Sequence, residues 1–86
     1  MIQKIKEPVS VTLSFDHQKR KLIPEKIVWK NRVYPVVKTG LHHTYRTGRT
    51  LYHVFSVTSE TLFFRLVLNT ETLFWTLEEI SDGLPD

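Results

Sequence analysis

The feature that most constrains the fold is a series of three short apolar and aromatic runs between positions 51 and 79. Runs of this length that are rich in β-branched and aromatic residues and bounded by turn residues indicate strands. Two short polar turns, Ser59-Glu60 and 69–72, separate the runs. The region therefore predicts a three-stranded antiparallel meander. Its predicted strands are 51–58, 61–68 and 73–79.

The two turns of this meander agree on which side chains share a face. Pairing Thr58 with Thr61 and Leu68 with Leu73 places one continuous apolar set on the same side of the sheet. Agreement between two independent turns is evidence for the architecture, and we expect this face to form the core. Its predicted members are Phe55, Val57, Leu62, Phe64, Leu66, Leu68, Leu73, Trp75 and Leu77.

Earlier segments predict three further strands. Residues 9–15 alternate strictly, and the runs 26–29 and 33–37 are β-prone. Lys30-Asn31 between these two runs predicts a tight hairpin with Trp29 opposite Arg32, because Asn tolerates positive φ. Pro35 cannot donate a ladder hydrogen bond, which predicts an edge strand or a bulge there.

Two segments lack a clear strand pattern. Residues 16–25, with a basic run and Pro24, predict a loop. Residues 38–50 contain Gly40 and Gly48 and predict a long irregular connection with one short helical turn in 39–46. The whole chain then predicts a mainly β domain. We expect about six antiparallel strands curled into a small, partly open barrel of SH3-like or OB-like type.

Length and composition support one small domain. The 86 residues are too few for two domains, so we expect a single domain over 1–86, with an ordered core at about 8–80 and flexible ends. The absence of cysteine excludes disulfides, thiolate nucleophiles and zinc sites with sulfur ligands. The N-terminal segment lacks a signal-peptide core, and no apolar run spans a bilayer. We therefore expect a soluble, cytoplasmic protein without a membrane partner.

The charge is distributed unevenly along the chain. Residues 1–50 carry eleven Lys and Arg against three acids, a balance of +8, whereas residues 51–86 have a balance of −5. A basic half suggests a polyanionic partner, here nucleic acid, and the alternative is a solvated basic surface that maintains solubility. The candidate nucleic-acid-binding residues are Lys19, Arg20, Lys21, Trp29, Lys30, Arg32, Arg46 and Arg49.

The opposite face of the meander is unusually apolar. The expected register places Val67 opposite both Tyr52 and Phe74, on a face that is polar in most antiparallel sheets. Another segment of the chain could cover this stripe, or it could stack nucleobases with help from Arg65. It could also form a protein–protein or homo-oligomer interface. The candidate interface residues are Tyr52, Phe63, Val67 and Phe74.

Aromatic and basic residues of the 26–37 hairpin admit two interpretations. Trp29, Arg32 and Tyr34 could form a stacking and phosphate-contact platform beside neighbouring lysines. Alternatively, Trp29 and Arg32 could form a cross-strand cation–π pair that stabilises the hairpin. We favour the second interpretation, because such pairs are common in folded domains.

The histidines and the remaining polar residues show no chemical motif. His42 and His43 are adjacent and therefore point in different directions, which is a poor arrangement for chelation, so we predict no metal site. His53 lies in line with Phe55, as expected of a neutral, hydrogen-bonded core histidine. Phosphate-binding loops, nucleophile elbows and zinc-protease motifs are absent. We predict a non-enzymatic protein with no cofactor.

Three parts of the sequence resemble a known pattern. The run 27–36 is similar to a Trp-x-Gly-Arg-x-Tyr-x-Val hairpin, with Asn31 in place of the Gly, and 46–57 is similar to the strand that follows it. Phe64-x-Leu66 followed by 72–77 is similar to a terminal Trp-x-Leu strand. Together they resemble a group of small uncharacterised bacterial β proteins, over about residues 8–80. A similar domain accompanies DNA-damage-response polymerase-like proteins in some bacteria. The resemblance implies the fold and a nucleic-acid context by association, and no catalytic residue.

Overall fold

The computed structural model describes residues 1–82 and consists of seven antiparallel strands. They form one sheet in the spatial order β3-β2-β1-β7-β6-β5-β4, which curls into a half-barrel. The predicted mainly β, antiparallel, partly open barrel is confirmed. The strands are β1 (Ile2–Asp16), β2 (Lys21–Trp29), β3 (Arg32–Pro35), β4 (Lys38–Thr47), β5 (Thr50–Ser59), β6 (Leu62–Asn69) and β7 (Trp75–Ser81).

The N-terminal half contains more strand than the sequence predicted. β1 begins at Ile2 rather than at Val9, and β2 begins at Lys21, so the predicted loop over 16–25 is wrong. The connection is short because Asp16 closes it. The Asp16 Oδ1 atom accepts hydrogen bonds from the backbone N–H of Gln18 and Lys19 at 2.9 and 3.1 Å.

The β2–β3 hairpin has the predicted register. Trp29 pairs with Arg32, and Ile27 pairs with Tyr34. Both loop residues, Lys30 and Asn31, have positive φ, as the tightest hairpin loops require. β3 is the first strand of the sheet, so the edge position predicted from Pro35 is confirmed.

Residues 38–50 form a hairpin instead of an irregular loop. β4 covers most of this segment and pairs with β5, and no helix occurs within residues 1–82, so the predicted helical turn is wrong. Two local features explain why the sequence pattern did not predict this strand. A bulge lies between Thr39 and His42 and breaks the alternation, and Gly48 has a φ of 61° in the two-residue turn to β5. The part of the chain described also has no helix with the length and apolarity that a membrane crossing needs.

The predicted register of the meander is wrong by two residues at both turns. Ser59 pairs with Leu62, and Leu68 pairs with Trp75. A shift of two preserves which face each side chain takes, so most of the predicted apolar face remains correct. The exception is Leu73, which lies in the loop before β7 and is exposed.

The core lies on the concave face of the half-barrel. Phe64 and Leu66 are buried there and Trp75 packs against them, so their predicted inward orientation is confirmed. Ile27 and Tyr34 of the N-terminal hairpin join the same cluster. The buried residues of this core cluster are Ile27, Tyr34, Phe55, Val57, Phe64, Leu66 and Leu77.

Two consecutive amides connect the opposite margins of the sheet. The Val36 N–H donates to the Glu25 carbonyl of β2 at 2.9 Å, and the Val37 N–H donates to the Thr58 carbonyl of β5 at 2.8 Å. Because β2 and β5 each lie one strand in from an edge, this link requires the sheet to curl. The remaining gap between the start of β2 and β4 forms an open seam.

We expect Leu66→Ala to lower the free energy of unfolding by about 2–5 kcal/mol, because Leu66 is fully buried and its truncation leaves a cavity. Leu73→Ala is the matched control. The Leu73 side chain is 69% exposed, so the change should stay within about 0.5 kcal/mol. Urea unfolding measures both, and equal losses would contradict the observed register of β7.

Candidate nucleic-acid interface

A groove opens along the seam of the half-barrel, and we call it the seam groove. It has a volume of about 490 Å³ and lies between the beginning of β2 and the beginning of β4. Its floor is apolar, with Leu22, Pro24 and Val36, and its rim is polar. This volume is within the range of about 300–1,000 Å³ that ligand pockets occupy. The lining residues are Lys19, Lys21, Leu22, Ile23, Pro24, Val36, Val37, Lys38, Thr39, Gly40 and His42.

The rim of the seam groove is positively charged. Lys19 and Lys21 reach it from the β1–β2 turn, and Lys38 reaches it from the opposite side at the start of β4. None of the described lining residues carries a carboxylate. Among residues 1–82, the ion pairs formed are Met1–Asp82 and Arg65–Glu78, neither of which involves these lysines, although Asp16 is the cross-strand partner of Lys21. Such a concentration of like charge in a groove attracts anions.

Other predicted basic residues lie on the elements that line this groove. Arg20 is exposed at the tip of the β1–β2 turn, next to Lys19 and Lys21. Arg46 lies four positions after His42 and therefore on the same face of β4, and Arg49 lies in the β4–β5 turn, seven positions after His42. Arg20 thus extends the basic rim directly, whereas Arg46 and Arg49 lie farther along β4.

The remaining candidates, Trp29, Lys30 and Arg32, form a separate group at the far end of β2. Lys21 and Trp29 are eight residues apart on one strand, or about 26 Å at roughly 3.3 Å per residue. The Trp29 indole N–H donates to the Glu7 carboxylate at 3.0 Å, and its ring packs on the core. The position of Trp29 is therefore explained by its packing in the fold, and Trp29 does not line the seam groove.

The predicted cation–π pair between Trp29 and Arg32 is wrong in its partners. The Lys30 ammonium lies 4.9 Å from the Trp29 ring centroid, and the Arg32 guanidinium lies 5.0 Å from that of Tyr34. Two cation–π contacts thus replace one. Both cations lie close to the hairpin's own aromatic rings, which favours the stabilising interpretation over a free stacking platform.

The candidate protein-interface residues do not form one stripe. Val67 pairs with Val54 and Thr76, so the expected pairing with Tyr52 and Phe74 is wrong. Val67 is 7% exposed.

The other three candidate interface residues are dispersed. Tyr52 is half-buried and stacks on Tyr45 at 4.9 Å, and Phe63 lies near the opposite end of β6. Phe74 lies in the loop before β7 and is exposed.

A pair of histidines lies on the concave wall beside the groove. The His42 Nε2 and His53 Nδ1 atoms are 2.7 Å apart, a hydrogen bond that requires a proton on one nitrogen only. The His42 ring stacks on Phe55 at 4.1 Å with an interplanar angle of 13°. Removal of this ring from solvent, and then repulsion by the imidazoles of His53 and His43, lowers the pKa of His42 below 6.5. His42 is therefore mainly neutral near neutral pH.

The sequence did not identify His42 or Lys38 as groove residues. No signal in the local pattern could have done so, because their positions depend on the β4 bulge and on the closure at Val36 and Val37. His53 does lie in line with Phe55 as predicted, through its pairing with Leu68. Within residues 1–82, no group of three or more potential ligands could hold a metal ion.

No known protein family, curated protein or solved structure matches this chain. The resemblance to small bacterial β proteins therefore stays a prediction.

We expect protein stability to fall as the pH is lowered below about 6.5, because the unfolded chain then binds a proton at His42 more readily than the folded chain does. Above pH 6.5, His42 is mainly neutral in both the folded and the unfolded chain. Stability is therefore lost between pH 6.5 and the lower pKa that His42 has in the folded chain. Thermal unfolding from about pH 7.5 to about pH 5.5 measures this.

His42→Gln should flatten this dependence, whereas His17→Gln, in the exposed β1–β2 turn, should leave it as in the wild type. A titration of the His42 imidazole above 6.5 by NMR would contradict the proposed environment.

Proposed function

We propose that this protein is a non-enzymatic module that binds nucleic acid through the seam groove. One observation carries the proposal. Lys19, Lys21 and Lys38, which are separated in sequence, converge on one groove that has no described acidic lining residue. Several cations that line one groove suit a chain of phosphates, whose contacts fix the position of a nucleic acid.

The surroundings of the groove support a linear polyanion over a small anion. Arg20 lies beside Lys19, and Arg46 lies beyond His42 on the same face of β4, so positive charge continues past the groove along both of these elements. Among the acids of residues 51–82, Glu78 and Glu79 lie on β7, whereas Glu60 lies in the β5–β6 turn and Glu71 in the loop before β7. β7 is separated from β4 by two strands, so repulsion from Glu78 and Glu79 is weak at the seam.

The binding test uses a labelled oligonucleotide over a series of salt concentrations. Each phosphate contact contributes about 0.7–0.9 to the slope of log affinity against log salt, so affinity should fall steeply. Changing Lys19, Lys21 and Lys38 together to Gln should weaken binding and reduce the slope by about 2. The control changes Lys4, Lys6 and Lys26, which lie outside the groove, and has the same net charge.

Two results would overturn the proposal. One is equal weakening by the groove variant and its control, since binding would then depend on net charge alone. The other is competition by poly-glutamate as effective, per charge, as competition by the oligonucleotide. That result would assign the groove to an acidic protein segment instead.

A second proposal is self-association through the loop before β7. Leu73 and Phe74 are 69% and 73% exposed and lie next to each other, beside Pro8 and Val9 of β1. Contiguous exposed apolar side chains often mark an interface. The other candidate interface residue that is exposed, Phe63, lies near the opposite end of the sheet and is not part of this patch.

We expect Phe74→Ser to shift a wild-type dimer to monomer in light scattering, with little change in thermal stability, because the side chain makes little contact with the core. Phe63→Ser, at the opposite end of β6, is the control and should leave the dimer intact. A wild-type protein that is monomeric at every concentration tested would rule out this second proposal.

A further inference from the structure

An aromatic column leads from the core to the seam groove. Trp75 lies 5.6 Å from Phe55 in a tilted arrangement, and Phe55 lies 4.1 Å from His42 in a nearly parallel one. Phe55 is fully buried, whereas His42 is exposed and lines the groove. The column therefore ends in a planar ring at the surface, in the groove that the three lysines also line.

The His42 ring is held in a fixed orientation. Phe55 covers one face of the ring, and the hydrogen bond between His42 Nε2 and His53 Nδ1 fixes its edge. Since the side chain is exposed and lines the groove, its accessible face is the one turned away from Phe55. A fixed, neutral ring with one open face resembles the aromatic platforms on which bases stack in single-strand binding proteins.

We propose that the open face of His42 stacks an unpaired nucleobase, so that the seam groove selects single-stranded over double-stranded nucleic acid. This inference rests on the proposed nucleic-acid function and specifies its substrate class. Lys19, Lys21 and Lys38 contact the phosphates, and the base enters the apolar floor formed by Leu22 and Val36. In a duplex the bases are already paired and stacked, so reaching His42 would require a base to be extruded.

The experiment compares a single-stranded oligonucleotide with an abasic one of the same length and charge. Stacking of one base corresponds to roughly a five- to hundredfold gain in affinity, so the wild type should bind the base-containing strand more tightly by a factor in this range. A 2-aminopurine base in the strand should lose fluorescence on binding, as stacked bases do.

Three variants identify the residue responsible. His42→Leu removes the aromatic face, so it should bind the two oligonucleotides equally and leave 2-aminopurine fluorescence unchanged. His42→Phe restores a ring and should recover the preference. His43→Leu is the matched control, because His43 pairs with Val54 on the other face of β4 and should behave as the wild type.

The outcomes separate this inference from the proposal on which it rests. If neither oligonucleotide binds, nucleic-acid binding itself is refuted. If the wild type binds both with equal affinity, or binds duplex more tightly than single strand, the groove binds phosphates but His42 is not a stacking platform. Both comparisons use the wild-type protein, so the result stands even if His42→Leu fails to fold.

Discussion

The amides of Val36 and Val37 determine the shape of the molecule. They are consecutive in the chain, yet they donate to carbonyls on β2 and β5, near opposite margins of a seven-stranded sheet. A flat sheet could not satisfy both, because neighbouring strands are about 4.8 Å apart and β2 and β5 are separated by three intervening strands. The link therefore imposes the curl, and the curl creates both the concave core and the groove beside it.

This closure also explains why charge that is dispersed in the sequence meets in space. Lys21 begins β2 and Lys38 begins β4, and only the curl brings these two strand ends to facing sides of one gap. The same curl turns the inner face of β4 toward the core, which allows His42 to rest on Phe55. Core packing and the proposed ligand site are therefore consequences of one geometric constraint.

The sequence predicted faces better than it predicted register. The burial of Phe64 and Leu66 followed from period-two alternation, which a two-residue shift does not disturb. The shift at the last turn arises from the Asn69 side chain. Its Oδ1 atom accepts hydrogen bonds from the N–H groups of Glu71 and Thr72, which lengthens the loop and leaves Leu73 outside the strand. Alternation alone does not report such side-chain turns.

The candidate site was less predictable than the fold. Composition identified a basic half, but the division of its residues between the seam and the β2–β3 hairpin depends on tertiary structure. The sequence analysis considered His42 only as a metal ligand, because the stack of His42 on Phe55 depends on the pairing of β4, a strand that the bulge concealed. The neighbourhood of a residue on an irregular strand is therefore difficult to infer from its own segment.

The charge on β4 has a further effect, on aggregation. β4 is the last strand of the sheet, and within residues 1–82 no other strand pairs with its outer edge. A long open edge of this kind is a template for fibril growth. Lys38 and Arg46 are cationic and β4 has no acidic residue, and the bulge after Thr39 distorts its ladder, so addition of an identical β4 would add like charge. The strand that supplies Lys38 and His42 to the proposed binding groove is thus also the strand whose open edge is protected against strand addition.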